Sequence, residues 1–263
     1  MENLPQLEYV LLHKEQSTLT ITLNRPEVLN AFNDALGSDL LVALKFAEKD
    51  SDTRCVVLTG AGKGFCAGED LKQHLASPKP LGDTLRKRYH PIIQRIRTLE
   101  KPVIARINGV AAGAGVALAL ACDIRIAVDT GKFAMAFVKI ALVPDSGMFW
   151  FLPRLIGYAR AFEWMATGDV VSAQKALEWG MVNQLASTEQ LDEAVQQWAV
   201  PFATGPTAAY GLIKRGLQAG MDRSFEQSLE QEAYLQELAG NLSDHNEGVH
   251  AFLEKREARF SGR

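Results

Sequence analysis

The segment AFVKIALVPDSGMFW, residues 136–150, holds one acid at a turn in apolar surroundings. Asp145 follows Pro144 and precedes Ser146-Gly147, with Val138, Ile140, Leu142 and Val143 before it and Met148, Phe149 and Trp150 after. Such an aspartate either caps a helix or, with its pKa raised by apolar neighbours, acts as a better base than in water. Two glycine-rich segments offer a second kind of chemistry. In GAGKGFCAGEDL (60–71) a strand ends at Gly60 and a helix can begin near Gly68-Glu69-Asp70. In INGVAAGAGVALALACD (107–123) Gly109, Gly113 and Gly115 permit close backbone approach, and a helix can begin near Gly113. The first N–H groups of a helix lack internal partners and carry partial positive charge. Two such starts aimed at one oxygen form an oxyanion hole. That suits a thioester carbonyl whose neighbouring carbon loses a proton. Taken singly, the first segment is equally a loop needing positive φ and the second equally tight helix–sheet packing. The first also lacks the Gly-Lys-Ser/Thr ending of a phosphate loop, and Gly60, Gly62 and Gly64 do not make a dinucleotide fingerprint.

These groups need a scaffold, and the apolar periodicity supplies one. Residues 8–12 and 18–23 read as a strand hairpin. A helix starts at about Asp34, with Leu36, Leu40, Ala43, Leu44 and Ala47 on one face. Strands are expected at 55–60, 102–107 and 123–128, and helices at 82–99 and 113–121. This alternation predicts an α/β fold with a buried, largely parallel sheet. After Gly157 the pattern turns helical at 158–167, 172–179, 188–202, 206–219, 224–239 and 245–257. Ser224 with Gln227 and Asp244 with Glu247 have capping-box spacing. We therefore divide the chain into a core, 1–195, and a C-terminal helical region, 196–263. Apolar residues on more than one face of that region, such as Leu229, Tyr234, Phe252 and Leu253, predict packing on another subunit.

Of the 263 residues 47% are hydrophobic and 22% charged, an ordinary soluble profile. A net charge of -3 argues against a nucleic-acid surface. Cys55, Cys66 and Cys122 fall in apolar segments and cannot all pair, which suits reduced thiols in the cytoplasm. No basic region followed by an apolar run opens the sequence, and the uncharged stretch between Arg106 and Asp123 is too short and too rich in small residues for a membrane span. The five histidines show no metal-ligand spacing, so no metal is expected.

FCAGEDL, the PVIARINGVAAGAGVALALACD stretch, the FAMAFVKIALVPDSGMFWFLPR stretch and ALEWGMV occur in this order. NRPEVLNAF near the start and EGVHAFLEKR near the end join them. Together they resemble the enoyl-CoA hydratase/isomerase family, the crotonases, from about residue 8 to 260. The resemblance implies a spiral of ββα turns with a C-terminal helical region, assembled as a homotrimer or a dimer of trimers. It implies an acyl-CoA thioester substrate and no cofactor beyond the CoA that the substrate carries. It places the oxyanion donors at the backbone N–H groups of Glu69 and Ala114. It puts Ala67, Asp70 and Leu71 along the adenine and pantetheine path, and Arg25 and Val28 near the CoA entrance.

The sequence departs from the family's hydratases where their two glutamates fall, since those positions are Ala117 and Phe137 here. Hydration needs a base for water and an acid for carbon, so this loss points elsewhere. At the turn, Asp145 resembles the acid of the family's single-acid isomerases, including those that act on a ring epoxide of a phenylacetyl thioester. The expectation is an acyl-CoA isomerase in which Asp145 alone moves a proton through a thioester enolate. An enoyl-CoA hydratase, a hydrolase resembling the aryl-CoA dehalogenases with His90 activating water, and a noncatalytic acyl-CoA-binding homologue are the alternatives. Met148, Phe149 and Trp150 add bulk at the turn, and Phe137 and Phe149 could face a ring-bearing acyl group.

Overall fold

Alternation within the strands decides which side of the sheet each residue faces. A computed structural model describes residues 4–263. It opens with a hairpin of β1 (Val10–Glu15) and β2 (Thr18–Leu23), whose Leu19, Ile21 and Leu23 are fully buried. Helix α1 (Asp34–Lys49) follows, capped by Asn33 and carrying the predicted Leu36–Leu40–Ala43–Leu44–Ala47 stripe into the core. In β3 (Cys55–Gly60) every residue is buried; Val56 and Leu58 join the main core, whereas Cys55 and Val57 join a second core on the other face.

A repeating unit then takes over. Strand β3 feeds the short β4 (Gly64–Cys66), then α2 (Leu71–Ala76), α3 (Leu81–Thr84), a π-helical turn (Leu85–Tyr89) and α4 (His90–Thr98). Strand β5 (Val103–Ile107) feeds β6 (Val110–Ala112) and α5 (Ala114–Ala121). Strand β7 (Ile124–Val128) feeds β8 (Lys132–Ala134), a 3-10 turn (Ala136–Ile140) and α6 (Met148–Ile156). The long strand of each unit enters one sheet and the short strand a second. With β9 (Val170–Ser172) and β10 (Gln184–Ala186), the sheets run β1-β2-β3-β5-β7-β10 and β4-β6-β8-β9. Pairing is parallel from β2 to β10 and from β4 to β8. This is the expected ββα spiral. Apolar periodicity alone does not show the second sheet, because three-residue strands are too short to alternate visibly.

Helices α7 (Tyr158–Thr167) and α8 (Ala173–Glu178) complete the body. Helix α9 (Leu191–Thr204) lays Leu191, Ala194, Val195, Ala199 and Ala203 on the second core. The expected division after residue 195 falls inside this helix. Helices α10 (Thr207–Gly220), α11 (Phe225–Gly240) and α12 (Ser243–Glu254) form the remaining tail. The Ser224–Gln227 capping box forms. The Asp244–Glu247 pattern does not, because Asp244 accepts the N–H groups of Ser261 and Gly262 and so ties down the C-terminus.

Candidate active site

The two glycine-rich segments meet. Phe32 N–H donates to the Gly68 carbonyl at 2.6 Å, and Asp70 N–H donates to the Phe32 carbonyl at 2.9 Å. Successive peptide groups alternate direction in extended chain, so the Glu69 N–H points away from Phe32. On that other side lies the start of α5. Gly68 has φ +88°, and a Cβ added there would come within 2.8 Å of the Ala112 carbonyl oxygen and 3.4 Å of the Ala114 nitrogen. Gly115 allows the same approach one turn on, since a Cβ there would collide with the Cys66 carbonyl. Among the described residues, neither the Glu69 nor the Ala114 N–H donates to a protein acceptor. Two free amide donors on adjacent chains can hold one developing oxyanion. The helix expected from residues 68–70 begins at Leu71, after its cap Asp70, so the Glu69 donor belongs to the turn before the helix.

Asp145 stands in the loop before α6. It does not cap α6, whose cap is Gly147; its carboxyl accepts the Ser146 hydroxyl at 2.7 Å. Burial raises its pKa above the ordinary aspartate value. The charge of Glu69 acts in the same direction, while the Ser146 hydrogen bond and His90 pull against it. Asp145 is therefore close enough to the 67–71 turn and the start of α4 to sense both. Phe137 is buried with its ring edge 3.7 Å from where a Gly113 Cβ would stand, so it walls the oxyanion corner. Ala117 and Met148 are fully buried, whereas Phe149 is exposed. Of the two aromatic candidates, Phe137 adjoins the corner and Phe149 sits largely in solvent.

The side chain of Glu69 is not free. Arg88 Nη2 donates to both its oxygens, at 2.7 and 2.5 Å, and the Tyr89 hydroxyl donates to Oε2. With its oxygens so occupied, this carboxylate is held in place by the two side chains. Sequence reasoning missed Arg88 and Tyr89, which registered only as part of the helix expected at 82–99.

The residues expected along the CoA path also gather. Ala67 N–H donates to the Leu29 carbonyl at 2.9 Å, beside the short turn Pro26–Val28. Arg25 is 7% exposed and donates to the Ala31 carbonyl at 2.6 Å and to Asp70 at 3.0 Å. Asp70 in turn caps α2 through Gln73 N–H. The Arg25–Asp70 pair thus joins the 25–31 and 67–71 loops, and breaking a buried pair on one side is costly. Val28 is half-buried and Leu71 exposed. Among the described residues no group of three or more His, Cys, Asp or Glu could hold a metal ion, and no helix is long and apolar enough to cross a membrane.

The α/β spiral has clear counterparts among known proteins. The Enoyl-CoA hydratase/isomerase family profile matches residues 13–263, and the chain belongs to that family. It is therefore an enzyme with isomerase or hydratase activity. The chain is 45% identical over 261 residues to the 1,2-epoxyphenylacetyl-CoA isomerase of Escherichia coli K12, covering 98% of this chain and 100% of that one. It is 34% identical to 4-chlorobenzoyl coenzyme A dehalogenase-1 of an Arthrobacter species, over 85% of this chain and 83% of that one. Among solved structures, an enoyl-CoA hydratase from Bacillus anthracis superposes with a TM-score of 0.93 at 32% identity, covering 97% of this chain and all of that one.

Proposed function

We propose that the protein is an acyl-CoA isomerase acting through one carboxylate. The thioester oxygen sits between the N–H groups of Glu69 and Ala114. Asp145 takes a proton from the carbon beside the carbonyl, and the electron pair moves onto the oxygen as an enolate. The same carboxyl then returns the proton to a carbon further along the conjugated system. A double bond shifts, or a ring epoxide rearranges, and nothing is gained or lost. One acid suffices because it ends in its starting protonation state. No cofactor is needed beyond the CoA of the substrate. The likeness to the epoxyphenylacetyl-CoA isomerase supports a ring-bearing phenylacetyl thioester, for which Phe137 offers an aromatic wall.

The observation that carries this reading is the half-buried Asp145, raised in pKa, in a site where the hydratase glutamate positions are the buried Ala117 and Phe137. An isomerisation assay with a 3-enoyl-CoA and with the ring epoxide, run beside hydration of crotonyl-CoA, tests it. Isomerisation should dominate. Asp145 must be ionised to accept the proton, so kcat/KM should fall as pH drops through its raised pKa. The acid limb should therefore lie above the range of an exposed aspartate. Dominant hydration, or an acid limb at the exposed-aspartate position, would overturn the assignment. The proximity of His90 to Asp145 is what favours the dehalogenase-like alternative. Against it, Phe137 has no N–H to donate where those enzymes have a supporting tryptophan.

We place Arg25, Val28, Ala67, Asp70 and Leu71 along the CoA. Arg25 serves there by shaping the loops with Asp70, since its guanidinium is already engaged. We further propose a homotrimer or dimer of trimers, supported by the exposed Ile213, Leu217, Phe252 and Leu253 of the C-terminal helices. A cytoplasmic setting is supported by three free thiols, each buried and pushed up to about 12 by burial.

A further inference from the structure

The turn Leu85–Tyr89 is π-helical and lies between α3 and α4. Single π-turns interrupt otherwise helical segments and recur at functional sites. In a regular helix, adjacent residues point about 100° apart and do not share a partner. Here Arg88 and Tyr89 converge on one carboxylate, that of Glu69. Both are built in. The Arg88 side chain is 8% exposed, and its Nη1 also donates to Asp34 at 3.2 Å. Its Nε is buried with no acceptor, a cost that the fold carries. The Tyr89 ring packs on Phe32 with centroids 5.2 Å apart, and Phe32 is the residue whose backbone holds the 68–70 turn. Burial, reinforced by Glu69, raises the Tyr89 pKa well above ordinary, so its hydroxyl remains a donor.

We propose that Arg88 and Tyr89 are positioning residues of the site: they grip the Glu69 side chain and so aim its N–H, and they neutralise a carboxylate that would otherwise stand uncompensated beside Asp145. The groups around Glu69 are consistent with this. Cys66 is a neutral thiol, Asp34 is engaged by Arg88 and Lys79, and a polar cavity of about 250 Å³ opens beside Asn33, Gln73 and His74. Asp145 itself accepts the Ser146 hydroxyl and feels the charges of Glu69 and His90. A free Glu69 carboxylate would repel the thioester enolate and hold a proton on Asp145. The clamp weakens both effects.

This inference rests on Asp145 being the acid/base group, and its test reads Asp145 without turnover. The Asp145 carboxyl is titrated by 13C NMR in aspartate-labelled protein, its signal assigned by loss in Asp145→Asn. Glu69→Gln should move the midpoint to lower pH and Arg88→Met to higher pH, and the double variant should follow Glu69→Gln. Tyr89→Phe should leave the midpoint nearly unchanged but lower kcat about ten-fold with little change in KM, the scale of one hydrogen bond to a charged group. An unmoved midpoint in Glu69→Gln, or unaltered kcat in Tyr89→Phe, overturns the proposal. Glu69→Gln is close to isosteric and decides the matter alone should Arg88→Met fail to fold. If the wild type isomerises no thioester while Glu69→Gln still shifts the midpoint, the isomerase assignment falls and the clamp stands.

Discussion

Asp145→Asn should reduce isomerisation by roughly 10²–10⁴-fold, the range that a positioned general base supplies, while acyl-CoA binding is retained. The amide keeps the size of the carboxylate and can still accept the Ser146 hydroxyl, which now donates at 2.7 Å. Only the ability to take a proton is lost. Stability should move the other way. Burial raises the pKa of Asp145, so the folded protein binds that proton more tightly than the unfolded chain does. Its contribution to stability is therefore greatest below the unfolded pKa and is lost as pH rises through the folded one. At neutral pH the ionised carboxylate costs stability, and Asp145→Asn should melt at the same temperature as the wild type or higher. An active variant, or a clearly less stable one, would mean that the carboxylate is held for structure. Steady-state kinetics, ligand titration and thermal melting at pH 7 separate these outcomes.

Gly68→Ala should produce the second large effect. The residue sits at φ +88°, where an L side chain is strained, and its Cβ would press on the Ala112 carbonyl at 2.8 Å and approach the Ala114 nitrogen at 3.4 Å. The two amide donors would be pushed apart. Losing one oxyanion donor costs about 10²–10³-fold in kcat, or about 3–4 kcal/mol of transition-state stabilisation. The enolate forms only after binding, so kcat should fall far more than KM rises. Equal loss in binding and turnover would instead show that the turn merely shapes the CoA path.

What could be read from the chain depended on how local each signal was. The Pro-Asp-Ser-Gly turn, the apolar face of α1, the helix expected at 113–121 and the Ser224 capping box are all written within a few residues, and each forms as expected. The small sheet was hidden because Gly64–Cys66, Val110–Ala112 and Lys132–Ala134 are too short to show alternation. The pattern at Asp244 misled because its carboxylate is claimed by amides 17 and 18 residues away. The same holds for the site. The turns that carry the proposed oxyanion donors are marked by glycines, whereas the hold of Arg88 and Tyr89 on Glu69 spans 19 and 20 residues and depends on a π-turn that no propensity marks. The proposed 195/196 division runs through α9, a helix expected at 188–202 and amphipathic like the tail helices. What sets it apart is that its apolar face meets the second core.

The central claim is that one carboxyl carries a proton from one carbon to another within the same substrate. Turnover of a thioester deuterated at the carbon beside the carbonyl, run in ordinary water and read by mass spectrometry and NMR of the product, follows that proton directly. The account predicts deuterium on the distal carbon of the product well above solvent background, and no such transfer in Asp145→Asn. Product that keeps all its deuterium at the original carbon, or draws the hydrogen at the distal carbon entirely from solvent, would contradict it.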